Sequence, residues 1–409
     1  MHAWNDTSVP VLPGHGPIPQ LFDTASGEFV PAPAGGLYVC GITPYDATHL
    51  GHAATYVAYD TLMRVWRDAG GEPVYVQNVT DIDDPLLERA EATGVTWEEL
   101  AESQTDLFRS DMEALSVLPP THYIGVVESM ELLSRGVTEM LEADAAYWVG
   151  PDLYADLAAD SRFGSIGHYD HDTQMRFFAE RGGDPQTPGK RNVLDPLLWR
   201  GERDGEPAWD GGKLGPGRPG WHVECSIIAR EYLSIPFVVQ GGGEDLIFPH
   251  HEMSVSHLRI LTDVEEPARI CMHAALLAYD GEKMSKSLGN LVFVSGLREE
   301  GVDPDAIRLL LLGQHYRSEW EYTPGKLEAA TARLQTWRSA VRAGADGEAG
   351  VRAEDVLDEV RRHLSNDLDT PAALAAIDEW ARGGRRTQAD RRLIADLADA
   401  LLGVKQLAG

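Results

Sequence analysis

LYVCGITPYDATHLGH, residues 37–52, decides the fold. It begins as a short apolar run, Leu37-Tyr38-Val39, which reads as a buried strand. The run breaks at Gly41-Ile42-Thr43-Pro44 and ends in His49-Leu50-Gly51-His52. Tyr56, Tyr59, Leu62, Met63 and Trp66 then recur at helical spacing up to a stop at Gly70-Gly71. A strand, a tight loop and a helix point backbone N–H groups and the positive end of a helix dipole at a phosphate. His49 and His52 add side-chain donors there, and Gly51 lets a nucleotide approach the backbone. By itself HLGH arises readily by chance.

A second motif lies far along the chain: KMSKS, Lys283 to Ser287, within DGEKMSKSLGN. Alone it reads equally well as a solvated basic loop. Between the two motifs the chain gives a second strand, Pro73 to Val79, then the acidic loop Thr80-Asp81-Ile82-Asp83-Asp84 and a helix over 85–92. Helical periodicity covers 97–115 and 127–143, with a strand at Tyr123 to Val127. Residues 146–219 read as an insertion, with irregular Gly-, Asp- and Pro-rich text to Trp199 that includes ERGGDP, residues 180–185. Beyond it come Gly220-Trp221-His222-Val223-Glu224-Cys225, a helix over 224–233, a strand over Pro236 to Gln240, and the turn Gly241-Gly242-Gly243-Glu244-Asp245. That turn is of phosphate- or ribose-binding type. FPHHE, residues 248–252, opens a helix, and a strand through Ile270 to Leu277 feeds KMSKS.

The expected architecture is α/β: a doubly wound parallel sheet of Rossmann-like type with an inserted segment and a C-terminal helical bundle. Its parts are an irregular arm over 1–36, a first half over 37–145, the insertion over 146–219, a second half over 220–300 and the bundle over 301–409. In the bundle, 343–350 reads as a flexible link and Thr370-Pro371 as a cap followed by the first helical position.

Composition narrows the class. With 409 residues, 43% of them hydrophobic, the chain can bury a large core in two or three domains. No apolar run approaches the ~18 residues of a membrane span, and the N-terminus lacks the pattern of a signal peptide. Three cysteines, Cys40, Cys225 and Cys271, are too few and too odd for a disulfide framework and point to a reducing, cytoplasmic setting. Thirty-five Lys+Arg against 65 Asp+Glu give a net charge of −30, which disfavours a nucleic-acid partner. A salt-tolerant acidic surface explains the same number.

Cys40 closes the first strand, Cys225 starts a helix in the second half, and His250 sits at a helix start just after the glycine turn. Strand C-termini of a doubly wound sheet converge on one crevice, so the three can meet there. Two Cys and one His form the ligand set of zinc sites that keep a fourth position open. The alternative is that each cysteine is a small buried hydrophobe.

HxGH early and KMSKS late is the paired signature of the class I aminoacyl-tRNA synthetase family. Over nearly its whole length the chain resembles the cysteinyl-tRNA synthetases, through YVCGITPYDATHLGHAATYVAYD, NVTDIDD, RPGWHVEC, GGGEDLIFPHHE and DGEKMSKSLGN. The resemblance implies that Cys40, Cys225 and His250 hold one Zn²⁺, which grips the substrate cysteine through its thiolate beside Trp221. Cys271 matches no ligand. The departures are informative. Ser254 stands where those synthetases carry a fourth zinc ligand, Glu; Ala54 replaces an Arg, Pro85 a Lys and Gln240 a His. The chain also ends at Gly409, where they continue into an anticodon-reading domain. With these departures it is most similar to the synthetase-derived ligase family of mycothiol biosynthesis, which joins cysteine to glucosaminyl-inositol.

That resemblance implies an AMP-forming carbon–nitrogen ligase using ATP with Mg²⁺, L-cysteine and glucosaminyl-inositol; the charge points away from nucleic acid, and without a tRNA-reading domain nothing requires a dimer, so a monomer is expected. A truncated tRNA-charging enzyme and an inactive paralogue are the rival readings. It implies that His49, His52, Lys283 and Lys286 stabilise charge on the transferring phosphate. Cys40, Gly41, Ile42, Thr43, Thr55, Asn78, Val79 and Thr80 would line the cysteinyl-adenylate site, and Gly243, Glu244 and Asp245 would hold adenosine. Glu180, Arg181, Gly182, Gly183, Asp184 and Pro185 are expected on the acceptor side, the alternative being an ordinary Gly-Asp turn. For the base that assists amide formation, His222, Glu224, His251 and Asp245 stand unranked.

Overall fold

The computed structural model describes residues 1–279, 281–283, 291–343, 350–384, 386–405 and 407. Its centre is a five-stranded parallel sheet. In space the strands run Ala268–Ala274, Phe237–Gly243, Gly36–Ile42, Val74–Val79 and His122–Gly125. Gly36–Ile42 and Phe237–Gly243, the first strands of the two halves, are therefore neighbours. The chain order reverses between them, and a crevice opens at their carboxyl ends.

Period-2 alternation sorts the side chains of Gly36–Ile42. Leu37 and Val39 enter the apolar cluster shared with helix Leu50–Asp68 and the C-terminal helices. Tyr38 and Cys40 enter the opposite cluster, with helices Met130–Glu142 and Trp221–Tyr232. Cys40 is thus turned towards the face that carries Cys225. Helices cover both faces of the sheet, as its near-continuous apolar strands require.

Helix Leu50–Asp68 starts where the periodicity places it, with His49 as its cap: the ring Nδ1 accepts from Gly51 and His52 N–H. Midway along it a buried ion cluster ties it to the rest of the fold. Asp60 accepts from Arg64 at 2.7 Å, from Leu118 N–H at 2.7 Å and from Arg308. Arg64 and Arg308 also reach the carbonyls of Ser116 and Leu115, each at 2.6 Å. Arg308 belongs to Pro304–Leu312, the first of five C-terminal helices among the described residues, which continue as Pro324–Arg342, Ala353–Leu364, Thr370–Arg382 and Gln388–Leu402.

Several expectations need correction. The arm is not wholly irregular: Gln20–Asp23 and Glu28–Pro31 form a hairpin, its turn closed by Gly27 at φ +70°. The text between the halves is not irregular either. Strands Ala146–Val149, Asp152–Ala155, Leu197–Gly201, Pro216–Pro219 and Trp209–Asp210 make a second, antiparallel sheet, with helix His171–Glu180 beside it. Short strands interrupted by Gly and Pro carry too few alternations to be read from sequence. The helix expected over 224–233 begins at Trp221, because Gly220 is its cap. Asp369, not Thr370, caps the helix that follows it, accepting from Ala372 N–H. Of KMSKS, only Lys283 is described, on the short strand Glu282–Lys283; Lys286 lies outside the described residues, as does most of the link expected over 343–350.

Candidate functional site

At the crevice, Cys40, Cys225 and His250 come together. Their ligand atoms lie within 4.8 Å of one another and all three residues are buried. Cys40 stands near the end of its strand, Cys225 in the second turn of helix Trp221–Tyr232, and His250 in the irregular turn before helix Glu252–Thr262. His250 Nε2 is 3.2 Å from Cys225 Sγ. Two thiols and an imidazole form a soft donor set, gathered closely enough for one ion with bonds of ~2.0–2.3 Å. The cluster can hold a metal.

Around it a layer of polar side chains fixes the donors. His222 Nδ1 is 3.0 Å from His250 Nδ1, and Trp221 stacks on the His250 ring with centroids 4.3 Å apart. His251 does not join the three. Its Nε2 is 3.2 Å from Cys40 Sγ and its Nδ1 is 2.7 Å from His273 Nε2, while His273 Nδ1 is 2.7 Å from Thr24 Oγ1. Gln240 Nε2 approaches Cys40 Sγ at 3.6 Å. Ser254 is buried and donates weakly to the His251 carbonyl at 3.4 Å.

Burial opposes ionisation of Cys225, yet hydrogen bonds with Cys40 and His250 outweigh it and hold the thiol well below its ordinary range. Cys40 is pushed up by burial and by its neighbour Cys225. Burial drives His222 and His251 well below the usual imidazole range, so both rings are neutral.

The residues expected at the adenylate site cluster beside these donors. Gly41 N–H donates to Asn78 Oδ1 at 2.9 Å, Tyr38 OH donates to the same oxygen, and Ile42 carbonyl accepts from Thr80 N–H at 2.9 Å. Thr80 Oγ1 donates to Glu224, whose carboxyl is raised well above its usual range, first by burial and then by Asp83. Val79 is buried and paired with Ile42. Gly41 has no room for a side chain: a Cβ would lie 1.6 Å from the Asn78 carbonyl oxygen. Thr43 lies just beyond its strand, and Thr55 Oγ1 donates back to the Gly51 carbonyl at 3.3 Å. The His49 and His52 rings stack with centroids 3.8 Å apart.

The glycine turn divides by function. At Gly241 a Cβ would meet the Tyr59 ring at 2.5 Å, and at Gly242 the Leu246 and His251 side chains at 2.8–2.9 Å, so packing dictates both. Gly243, Glu244 and Asp245 continue from the strand into the turn at the crevice.

ERGGDP also divides. Arg181 donates to the carbonyls of Asp245 and Phe248, both at 2.6 Å, and covers the Phe177 ring, so it clamps the turn after the glycines. Glu180 ends its helix exposed, and Pro185 is half-buried. Gly182, Gly183 and Asp184 line a cavity of ≈ 350 Å³ whose wall includes Trp221 and His222. Asp83, Asp84, Asp152, Arg200, Arg203 and Arg218 line it as well. Sequence reasoning did not find these six, nor His273 or Tyr38. Arg200 and Arg218 come from the second sheet, whose strands were not legible. His273 alternates with Met272 on a strand that was foreseen, which was the one signal available.

Three comparisons place the chain. Residues 31–332 match the family described as tRNA synthetases class I (C) catalytic domain. Among solved structures, methionyl-tRNA synthetase of Mycobacterium tuberculosis with methionyl-adenylate superposes at TM-score 0.63 with 16% identity, over 90% of this chain and 92% of that one. A LeuRS of Agrobacterium radiobacter K84 superposes at 0.61 with 11% identity, over 92% and 84%. The fold is that of the class I synthetases.

Within that class the relatives are more particular. A protein of Xylanimonas cellulosilytica named L-cysteine:1D-myo-inositol 2-amino-2-deoxy-alpha-D-glucopyranoside ligase is 56% identical, over 99% of this chain and 100% of its own. Proteins of the same name from Kineococcus radiotolerans and Streptomyces coelicolor are 55% and 54% identical, each over 99% of this chain and 99% and 100% of their own. The chain belongs to this ligase family. No helix among the described residues is long and apolar enough to cross a membrane.

Proposed function

We propose that the chain activates L-cysteine with ATP as cysteinyl-adenylate, releasing pyrophosphate, and passes the cysteinyl group to the amine of 1D-myo-inositol 2-amino-2-deoxy-α-D-glucopyranoside, as in mycothiol biosynthesis. The observation that carries this reading is the meeting of Cys40, Cys225 and His250 at the sheet's switch point, one ring away from a separate polar cavity.

Cys40, Cys225 and His250 would hold Zn²⁺, with Ser254 leaving the fourth position to the substrate. A Zn²⁺ ion there supplies a Lewis-acid partner that a thiolate satisfies and a serine hydroxyl satisfies poorly. Shape alone separates two such amino acids by only ~1–3 kcal/mol. His222 and Trp221 fix the His250 ring, and His251 and Gln240 orient Cys40. The backbone at the start of helix Leu50–Asp68, with His49 and His52, faces the phosphate of ATP, whose Mg²⁺ accompanies it. Lys283 and Lys286 add positive charge as pyrophosphate departs. Arg181 shapes the Asp245 turn that would hold adenosine, and Gly182, Gly183 and Asp184 face the acceptor.

The test is cysteine-dependent ATP–pyrophosphate exchange, followed by offering the amino sugar and tRNA in parallel. Exchange with cysteine but not serine, and amide formed with the amino sugar, are expected. Esterified tRNA with no amide would replace this reading by a tRNA-charging one, and no exchange would leave an inactive relative.

A further inference from the structure

The ≈ 350 Å³ cavity has four aspartates in its wall, Asp83, Asp84, Asp152 and Asp184, and three of them are already paired. Asp84 is bound by Arg218 and Arg200. Asp152 takes two hydrogen bonds from Arg203 Nη2, at 2.9 and 2.8 Å. Asp184 accepts from Lys190 at 2.8 Å, from Thr187 at 2.9 Å and from Tyr154 OH. Asp83 differs. One of its oxygens accepts from Asp84 N–H at 2.8 Å, capping helix Asp84–Thr93. The other oxygen has no protein partner among the described residues.

An amine that attacks an acyl-adenylate must shed a proton as the C–N bond forms, so a carboxylate open to this cavity has a task waiting. We infer that Asp83 is the general base of amide formation and a further catalytic residue. The inference rests on the acceptor reading above. The amine nitrogen forms a bond to the cysteinyl carbonyl carbon, and its N–H proton passes to the open Asp83 oxygen. The bond from that carbon to the phosphate oxygen breaks, and AMP leaves with the electron pair.

The other groups near the site are engaged elsewhere. His222 is tied to His250, Glu224 is hydrogen-bonded by Thr80, and His251 sits between Cys40 and His273. Asp245 does not line this cavity among the described residues. Asp83 faces Asp84 on its own helix, Arg218 from the second sheet, and Glu224 and His250 from the elements below. Burial pushes its carboxyl up to about 6, against the hydrogen bond from Asp84 N–H and the nearby Arg218 guanidinium. It is therefore ionised at neutral pH yet more basic than an ordinary aspartate, as a base needs to be.

Asp83→Asn isolates the proton transfer, because Asn caps a helix about as well as Asp. Two nucleophiles are compared in the presence of ATP and cysteine: the amino sugar, and hydroxylamine, which traps the adenylate without a base. The ratio of amide to hydroxamate is expected to fall about 10²-fold or more in the variant. In the wild type the amide rate carries an acid-side ionisation near 6 in addition to the protonation of the acceptor amine itself, and in the variant only the amine's own ionisation remains. An unchanged ratio would overturn the inference, as would amide and hydroxamate falling together, which marks a structural role. If the wild type makes hydroxamate but no amide, the acceptor reading itself fails and takes this inference with it.

Discussion

Replacing Gly41 by Ala puts the whole crevice at risk through one methyl group. The new Cβ would sit 1.6 Å from the Asn78 carbonyl oxygen, where real Cβ contacts essentially never fall below 3.0 Å. One strand must therefore move by about 1.4 Å relative to the next. The obstacle is the backbone of Val74–Val79, inside the central sheet, so no rotamer change relieves it. Overpacking of this kind costs ~1–3 kcal/mol, and the upper end applies where backbone must yield. The same shift displaces Cys40 from Asn78, Thr80 and Cys225, and a displacement near 1 Å costs about 10²-fold in rate. Urea unfolding and cysteine-dependent ATP–pyrophosphate exchange read the two effects. Gly325→Ala is the control: a Cβ there meets nothing within 4 Å, in the first turn of helix Pro324–Arg342, and stability should hold or rise by up to ~1 kcal/mol. A Gly41→Ala enzyme with wild-type stability and exchange would refute the close approach of the two strands.

Asp60→Asn leaves the buried guanidinia of Arg64 and Arg308 without their anion and should destabilise the protein by ~3–5 kcal/mol in urea unfolding; a loss below ~1 kcal/mol would contradict the cluster. Burial pushes Asp60 up, but Arg308 and Arg64 outweigh it and hold the carboxyl below its ordinary value of 3.8. Its stabilisation is thus complete at neutral pH and is lost only as the pH falls below 3.8 towards that lower value, and the variant lacks this acid-side loss. Arg181→Met frees the Asp245 and Phe248 carbonyls and should raise the KM for ATP about tenfold; an unchanged KM would remove the clamp from nucleotide binding.

The sequence made the central sheet legible because its strands are apolar and each is followed by a helix or a glycine turn. Alternation in Leu37–Cys40 even determines which face Cys40 takes. Topology showed only that Cys40, Cys225 and His250 could meet at one crevice; the resemblance named them as ligands, and the structure gathers them. The cavity lined by Asp83 and Arg218 was hidden. Its wall joins the loop after Val74–Val79 to Arg200 and Arg218, from strands of four or five residues with no clear period. Asp83 was visible only as one acid among several in an acidic loop. What sets it apart is that Asp84, Asp152 and Asp184 have ion-pair partners, and those of Asp84 and Asp152 lie in distant segments that leave no local pattern.

The central claim is that one metal ion, held by two cysteines and a histidine, takes its fourth ligand from the substrate. X-ray absorption at the zinc edge counts those ligands directly. The account predicts one zinc per chain with two sulfurs at ~2.3 Å and one nitrogen at ~2.0–2.1 Å, with a third sulfur appearing on addition of L-cysteine and none on addition of L-serine. A chain that binds no zinc, or a sulfur count that cysteine leaves unchanged, would contradict it.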